Sequence, residues 1–165
     1  YPRILFHDRR FHPGGSEKPD FILNREPYRE AKIIVADRNW GGGSSRESAV
    51  YALMAFGIRS VIASGFGDIH FNNSLKNGLL PVRLPRETVV HLRAQLHDEL
   101  GSEISVDLES QTVTGPDGAE YLFDIPPISK KCLLLGLDDI GRTQNHNDEI
   151  GEFKRRYFEE VSFLP

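Results

Sequence analysis

Residues 39–47 read Asn-Trp-Gly-Gly-Gly-Ser-Ser-Arg-Glu, and this segment concentrates the chemistry of the chain. Gly41, Gly42 and Gly43 let a backbone approach a bound group closely. Ser44 and Ser45 supply hydroxyls, and Arg46 offers a rigid fork of donors matched to a carboxylate. Together they describe a corner that binds small anions. Ser44 and Glu47 stand at capping-box spacing, which predicts Ser44 as a helix N-cap with Ser45 and Arg46 in the first turn. The positive end of that helix then faces the same space as the side chains. Capping alone accounts for a Ser-x-x-Glu pair, but three polar ligands on one turn exceed what a cap needs.

The elements that hold this loop follow from periodicity. The apolar run Ile33, Ile34, Val35, Ala36 predicts a strand over 31–37, and Ala49, Leu53 and Phe56 predict a helix over 45–56 with Gly57 as its C-cap. Residues 60–63, Ser-Val-Ile-Ala, predict the next strand, so strand, helix and strand imply a right-handed crossover and a parallel pair. A helix over 68–77 ends at Gly78, and 79–82 reads as a buried extended segment. Val89, Leu92, Leu96 and Leu100 mark an amphipathic surface helix over 85–100. Residues 104–108 and 119–123, around the turn 115–118, predict a hairpin. An apolar helix over 128–137 carries Cys132. A last helix from Asn147 shows Ile150, Phe153, Tyr157 and Val161 on one stripe, whereas residues 1–27 read as irregular.

Other candidate chemistries are weaker. The glycine spacing fits neither the dinucleotide fingerprint nor the phosphate loop, because Arg46 and Glu47 stand where a lysine and a magnesium-binding hydroxyl are required. His7, His12, His70, His91, His97 and His146 form no pair at metal-ligand spacing. His70, on the short helix, reads as a packed or backbone-bonded ring. Cys132 reads as a small buried hydrophobe, and Asp138-Asp139 before Gly141 as a polar turn rather than a cation site.

At 165 residues the chain is long enough for one domain with its own core. Its 39% apolar and 27% charged residues are those of a globular domain, and no apolar run nears the roughly 18 residues of a membrane span. A net charge of -4 leaves no broad positive field for nucleic acid. The single cysteine rules out an internal disulfide and an iron–sulfur cluster held by this chain's cysteines alone, and fits a reducing compartment. The opening residues carry no secretory leader pattern, and the numbering begins without methionine, so residues ahead of Tyr1 are expected.

Residues 5–11 (Leu-Phe-His-Asp-Arg-Arg-Phe), 19–24 (Pro-Asp-Phe-Ile-Leu-Asn), 39–47, 66–74 (Phe-Gly-Asp-Ile-His-Phe-Asn-Asn-Ser), 78–82 and 136–141 together carry a family likeness over nearly the whole chain. It resembles the swivel domain of the aconitase family, most closely the small subunits of bacterial 3-isopropylmalate dehydratases. The resemblance implies a three-layer swivelling β/β/α domain over residues 1–165, lacking an N-terminal segment. It implies a cytoplasmic hydro-lyase of leucine biosynthesis, which interconverts 2- and 3-isopropylmalate by dehydration and rehydration. It assigns a [4Fe-4S] cluster to a separate large subunit, the base to Ser44, and the hold on a substrate carboxylate to Ser45 and Arg46 beside Gly43. A related hydro-lyase of the homoaconitate or citramalate type stays open, as does a non-catalytic module that holds a dicarboxylate unaided. Gly42 and Ser48 depart from the usual pattern, which has Cys and His there.

Overall fold

The computed structural model describes residues 2–43 and 46–161. After a short helix, α1 (His7–Arg10), and two 3-10 turns at Ile22–Asn24 and Tyr28–Glu30, the chain enters a parallel sheet. Its strands are β1 (Ile33–Val35), β2 (Ser60–Ala63) and β3 (Leu80–Arg83), in that order. Helices α2 (Ser48–Phe56) and α3 (Asp68–Lys76) make the connections. A longer helix, α4 (Arg86–Asp98), leads to an antiparallel sheet of β4 (Ser105–Asp107), β5 (Thr112–Thr114) and β6 (Glu120–Leu122). The chain closes with α5 (Pro127–Leu135), α6 (Asp139–Gln144) and α7 (Asn147–Glu160).

All four residues of β2 are buried, as a central parallel strand covered on both faces requires. Alternation splits them between two cores. Val61 and Ala63 join Val50 and Leu53 of α2, with Leu5, Leu23 and Phe66. Ile62 joins Val82 of β3, Val89 and Leu92 of α4, and Val113 of β5. The parallel sheet is therefore the middle layer, between α2 on one side and α4 with the antiparallel sheet on the other, the three-layer arrangement expected. Gly57, at φ 119°, closes α2 by donating its amide to Leu53 and Met54.

Several expectations need correction. The predicted hairpin is a three-stranded meander, because Thr112–Thr114 forms the middle strand and pairs on both sides, with Val113 fully buried. Leu100 lies beyond the end of α4 and is 77% exposed, since the helix stops at Asp98. Cys132 is only half-buried, because α5 buries none of its residues. Asp138 is a helix cap rather than a plain turn residue: its Oδ1 accepts from the amide of Gly141 at 2.6 Å and starts α6. The irregular start is tied down by buried Arg10 and Asn24.

Candidate functional site

The segment that follows β1 and the one that follows β2 meet at the carboxyl ends of the parallel strands, where open α/β sheets bind ligands. The Trp40 amide donates to Gly65 O at 2.9 Å, and the Gly67 amide donates back to Trp40 O at 2.8 Å. A Cβ on Gly67 would stand 2.8 Å from Gly42 Cα, so glycine at 67 is what lets the two loops touch. The glycine loop is thereby fixed from below by α3's leading turn.

A cleft of about 340 Å³ opens here, lined by Trp40, Gly41, Arg46 and Ser48 with His70 of α3 and Phe6 from the N-terminal segment. That volume suits a small ligand. Arg46, to which the sequence reading gave the hold on a carboxylate, is in its wall. Ser48, one of the departures from the family pattern, is there too. Gly41 adopts φ 72°, and a Cβ on it would overlap the His70 ring. Nothing lies within 4 Å of where a Cβ on Gly43 would stand. A larger groove of about 720 Å³ runs along β1 beside α4, but neither Gly41 nor Arg46 lines it.

The predicted helix start is corrected. α2 begins at Ser48 with Glu47 at its N-cap, three residues later than the capping-box spacing implies, so Arg46 precedes the helix. Within the helix Glu47 Oε2 accepts the Tyr51 hydroxyl one turn onward at 2.9 Å. The Arg46 carbonyl accepts from Ala49 at 3.2 Å, which keeps the arginine at the mouth of the helix. Ser44 and Ser45, to which the base and carboxylate-holding roles were assigned, lie outside the described residues.

His70 and Trp40 also line the cleft, which spacing did not reveal. His70 is packed as expected, 3% exposed, yet neither ring nitrogen has a hydrogen-bond partner, and Trp40 Nε1 has none either. Their rings meet edge to face with centroids 6.5 Å apart. Burial pushes the His70 pKa below its ordinary value, because desolvation disfavours the charged ring. Only the adjacency of the two loops brings residue 70 to residue 46. The parallel pairing expected for β1 and β2 is the one signal that pointed there.

The described residues offer no group of three or more His, Cys, Asp or Glu that could hold a metal. The lone Cys132 sits half-buried on α5. This donor set does not fit an iron–sulfur cluster. No helix among the described residues is long and apolar enough to cross a membrane.

Comparison with known proteins agrees with this geometry. Residues 7–87 match the family described as Aconitase C-terminal domain, and residues 90–127 match LeuD_N. Fold and loop thus define a domain of the aconitase C-terminal class. The 3-isopropylmalate dehydratase small subunit of Gluconacetobacter diazotrophicus is 52% identical over 149 residues, which cover 90% of this chain and 72% of the relative. That of Rhodospirillum rubrum is 47% identical over 161 residues, covering 98% and 78%. A crystal structure of 3-isopropylmalate dehydratase from Methanocaldococcus jannaschii superimposes with a TM-score of 0.58 at 25% identity, covering 77% of this chain and 71% of that one. The chain belongs to the family of 3-isopropylmalate dehydratase small subunits.

Proposed function

We propose that this chain is the small subunit of a cytoplasmic hydro-lyase that interconverts 2- and 3-isopropylmalate in leucine biosynthesis, as one domain docked on a large subunit. The observation that carries the reading is Arg46 in the wall of a small cleft, beside a glycine loop at the carboxyl edge of a parallel sheet. A hydroxy-dicarboxylate needs a cation fork for one carboxylate and a cleft of small-ligand size, and this corner offers both.

In this reading Ser45, Arg46 and the Gly43 backbone hold a substrate carboxylate, and Ser44 removes the carbon-bound proton. A serine hydroxyl is too weak a base unless its ionised form is stabilised, which Arg46 and the positive end of α2 favour. Loss of that proton and of hydroxide gives an alkene, and water adds back with the hydroxyl on the neighbouring carbon. Lewis-acid help for the departing hydroxyl would come from an iron–sulfur cluster held by the partner, since the single cysteine of this chain cannot hold one alone.

The test is co-expression with a large subunit and assay on 2-isopropylmalate, homoaconitate and citramalate. Turnover of 2-isopropylmalate by the wild type, with Ser44→Ala lowering kcat by about a thousandfold or more while assembly survives, supports the reading. Unchanged turnover in Ser44→Ala removes serine from the base role. A wild-type complex inactive on all three substrates removes the function itself.

A further inference from the structure

His70 is a buried ionisable side chain that the proposed reaction does not use. The residue is 3% exposed, and neither ring nitrogen has a hydrogen-bond partner. A phenyl ring would fill similar space without desolvating two nitrogens, so packing alone does not account for an imidazole there. What the imidazole adds is the capacity to take up a proton. Once protonated, both nitrogens are donors and the ring carries a full charge, which a buried site without acceptors cannot hold.

The glycine loop lies on that ring. A Cβ on Gly41 would stand 2.3 Å from His70 Cγ, so the loop backbone is already in contact with the imidazole. Trp40 meets it edge to face. The surrounding wall brings Leu5 and Phe6 from the N-terminal segment and Ala52 and Leu53 from α2, with Arg46 as its one other charged or ionisable member among the described residues. On α3 itself Asp68, two residues earlier, is exposed. Burial alone lowers the His70 pKa, and neither Arg46 nor Asp68 contributes.

The two sides of this contact are not equally free to give way. α3 is anchored by buried Ser74, whose hydroxyl donates to His70 O at 2.8 Å, and by Phe71, whose ring meets that of Phe66 with centroids 5.5 Å apart. The loop is held by the bonds of Trp40 to Gly65 and Gly67 and by the Gly42 amide, which donates to Asn39 O at 3.1 Å. Gly41, Gly42 and Gly43 have no side chains to anchor it further.

We propose that His70 is an acid-sensitive latch beneath the glycine loop: protonation drives the imidazole toward water, lifts Gly41 and Trp40 off α3, and dismantles the cleft around Arg46 while both cores stay folded. The latch goes beyond the proposed reaction and depends only on how the loop is seated.

Trp40 is the single tryptophan of the chain, so its emission reports the loop without a label. The full chain and its His70→Phe variant are titrated from about pH 7.5 to about pH 5, above the ordinary carboxylate range, with emission maximum, acrylamide quenching and far-UV circular dichroism read at each step. In wild type the emission should move to the red and acrylamide access should rise as pH falls below about 6.5, with the helical signal unchanged. Hydrogen exchange on wild type, which does not depend on the variant folding, should show the amides of Trp40 and Gly67 losing protection while those of β2 keep theirs. His70→Phe should hold its emission and acrylamide access constant over the same range. Wild-type emission and protection that stay unchanged, a response shared by His70→Phe, or a helical signal lost in step with the emission overturns the latch. Dimming without added acrylamide access, the mark of an imidazolium quenching an indole that has not moved, overturns it as well.

Discussion

Asn24 and Arg10 hold each other at both ends: Arg10 Nε donates to Asn24 Oδ1 at 3.0 Å, and Asn24 Nδ2 donates to the Arg10 carbonyl at 2.8 Å. Both side chains are buried, and the Arg10 guanidinium also donates to Pro2 O at 2.7 Å and stacks over the rings of Phe11 and Phe56. Phe56 belongs to α2, so this pair links the N-terminal segment to the helix behind the glycine loop. Replacing Asn24 with Leu strips an acceptor from a buried cation and a donor from two carbonyls, those of Arg10 and Lys18. The expected loss is about 3 kcal/mol, a melting temperature lower by roughly 6–12 °C. A thermal melt of the isolated chain checks it, and a drop under about 1 °C would mean the pair is incidental.

The same pair shows where sequence reading stopped. Residues 1–27 look irregular because α1 is a single turn entered through Phe6 at φ 50°, and what orders them is a contact between residues fourteen apart that no period announces. β2, by contrast, was fully legible, since four apolar or small residues between a C-cap glycine and a second glycine turn leave little choice. β5 was missed because a three-residue strand of Thr-Val-Thr carries too short an alternation to stand out. The helix start after the glycine loop was not legible, since a Ser-x-x-Glu spacing suits a cap at residue 44 while the helix opens at Ser48 behind Glu47. His70 was invisible for a different reason: its place in the site comes from parallel pairing, not from its neighbours in the chain.

Gly41→Ala is expected to damage both stability and site. The φ of 72° is costly for any residue with a Cβ, and that Cβ would overlap the His70 ring. A loss of about 1–3 kcal/mol is expected from the two effects together, with turnover of the assembled enzyme falling in parallel. Gly42→Ala should be milder in a melt. There the Cβ meets the Asn39 side chain, which can rotate, and the backbone needs no positive φ. Equal melting temperatures for the two variants would show that the loop is not seated on His70.

Acid should weaken the fold in two stages. His70 has a pKa lowered by burial, so the unfolded chain takes up its proton first as pH falls below about 6.5. Its contribution is complete above that pH and is lost on acidification until the folded ring also titrates. Asp107, held ionised by the Ser110 hydroxyl and the amides of Glu109 and Ser110, and Asp117, held by the Ala119 amide, Gln95 and His91, have lowered pKa values. Their stability is present above the ordinary carboxylate pKa of about 4 and is lost as pH falls through their folded values. Denaturant titrations at a series of pH values should show both stages. In His70→Phe the upper one should shrink, and a slope between pH 5 and 6.5 identical to wild type would place the proton uptake elsewhere.

Arg46→Lys separates shape from charge at the cleft wall. Lysine keeps the positive charge near the mouth of α2 but gives up the planar pair of donors that grips both oxygens of a carboxylate. A carboxylate held by the fork should therefore bind about tenfold or more weakly, read as a higher KM in the assembled complex. Stability should stay within about 0.5 kcal/mol, since Arg46 precedes the helix and is exposed. If charge alone mattered, lysine would serve as well as arginine and KM would not change. If Arg46 only organised the loop, the melting temperature would fall together with kcat while KM held. A rise in KM at constant melting temperature is the one result that requires the guanidinium fork to touch the substrate.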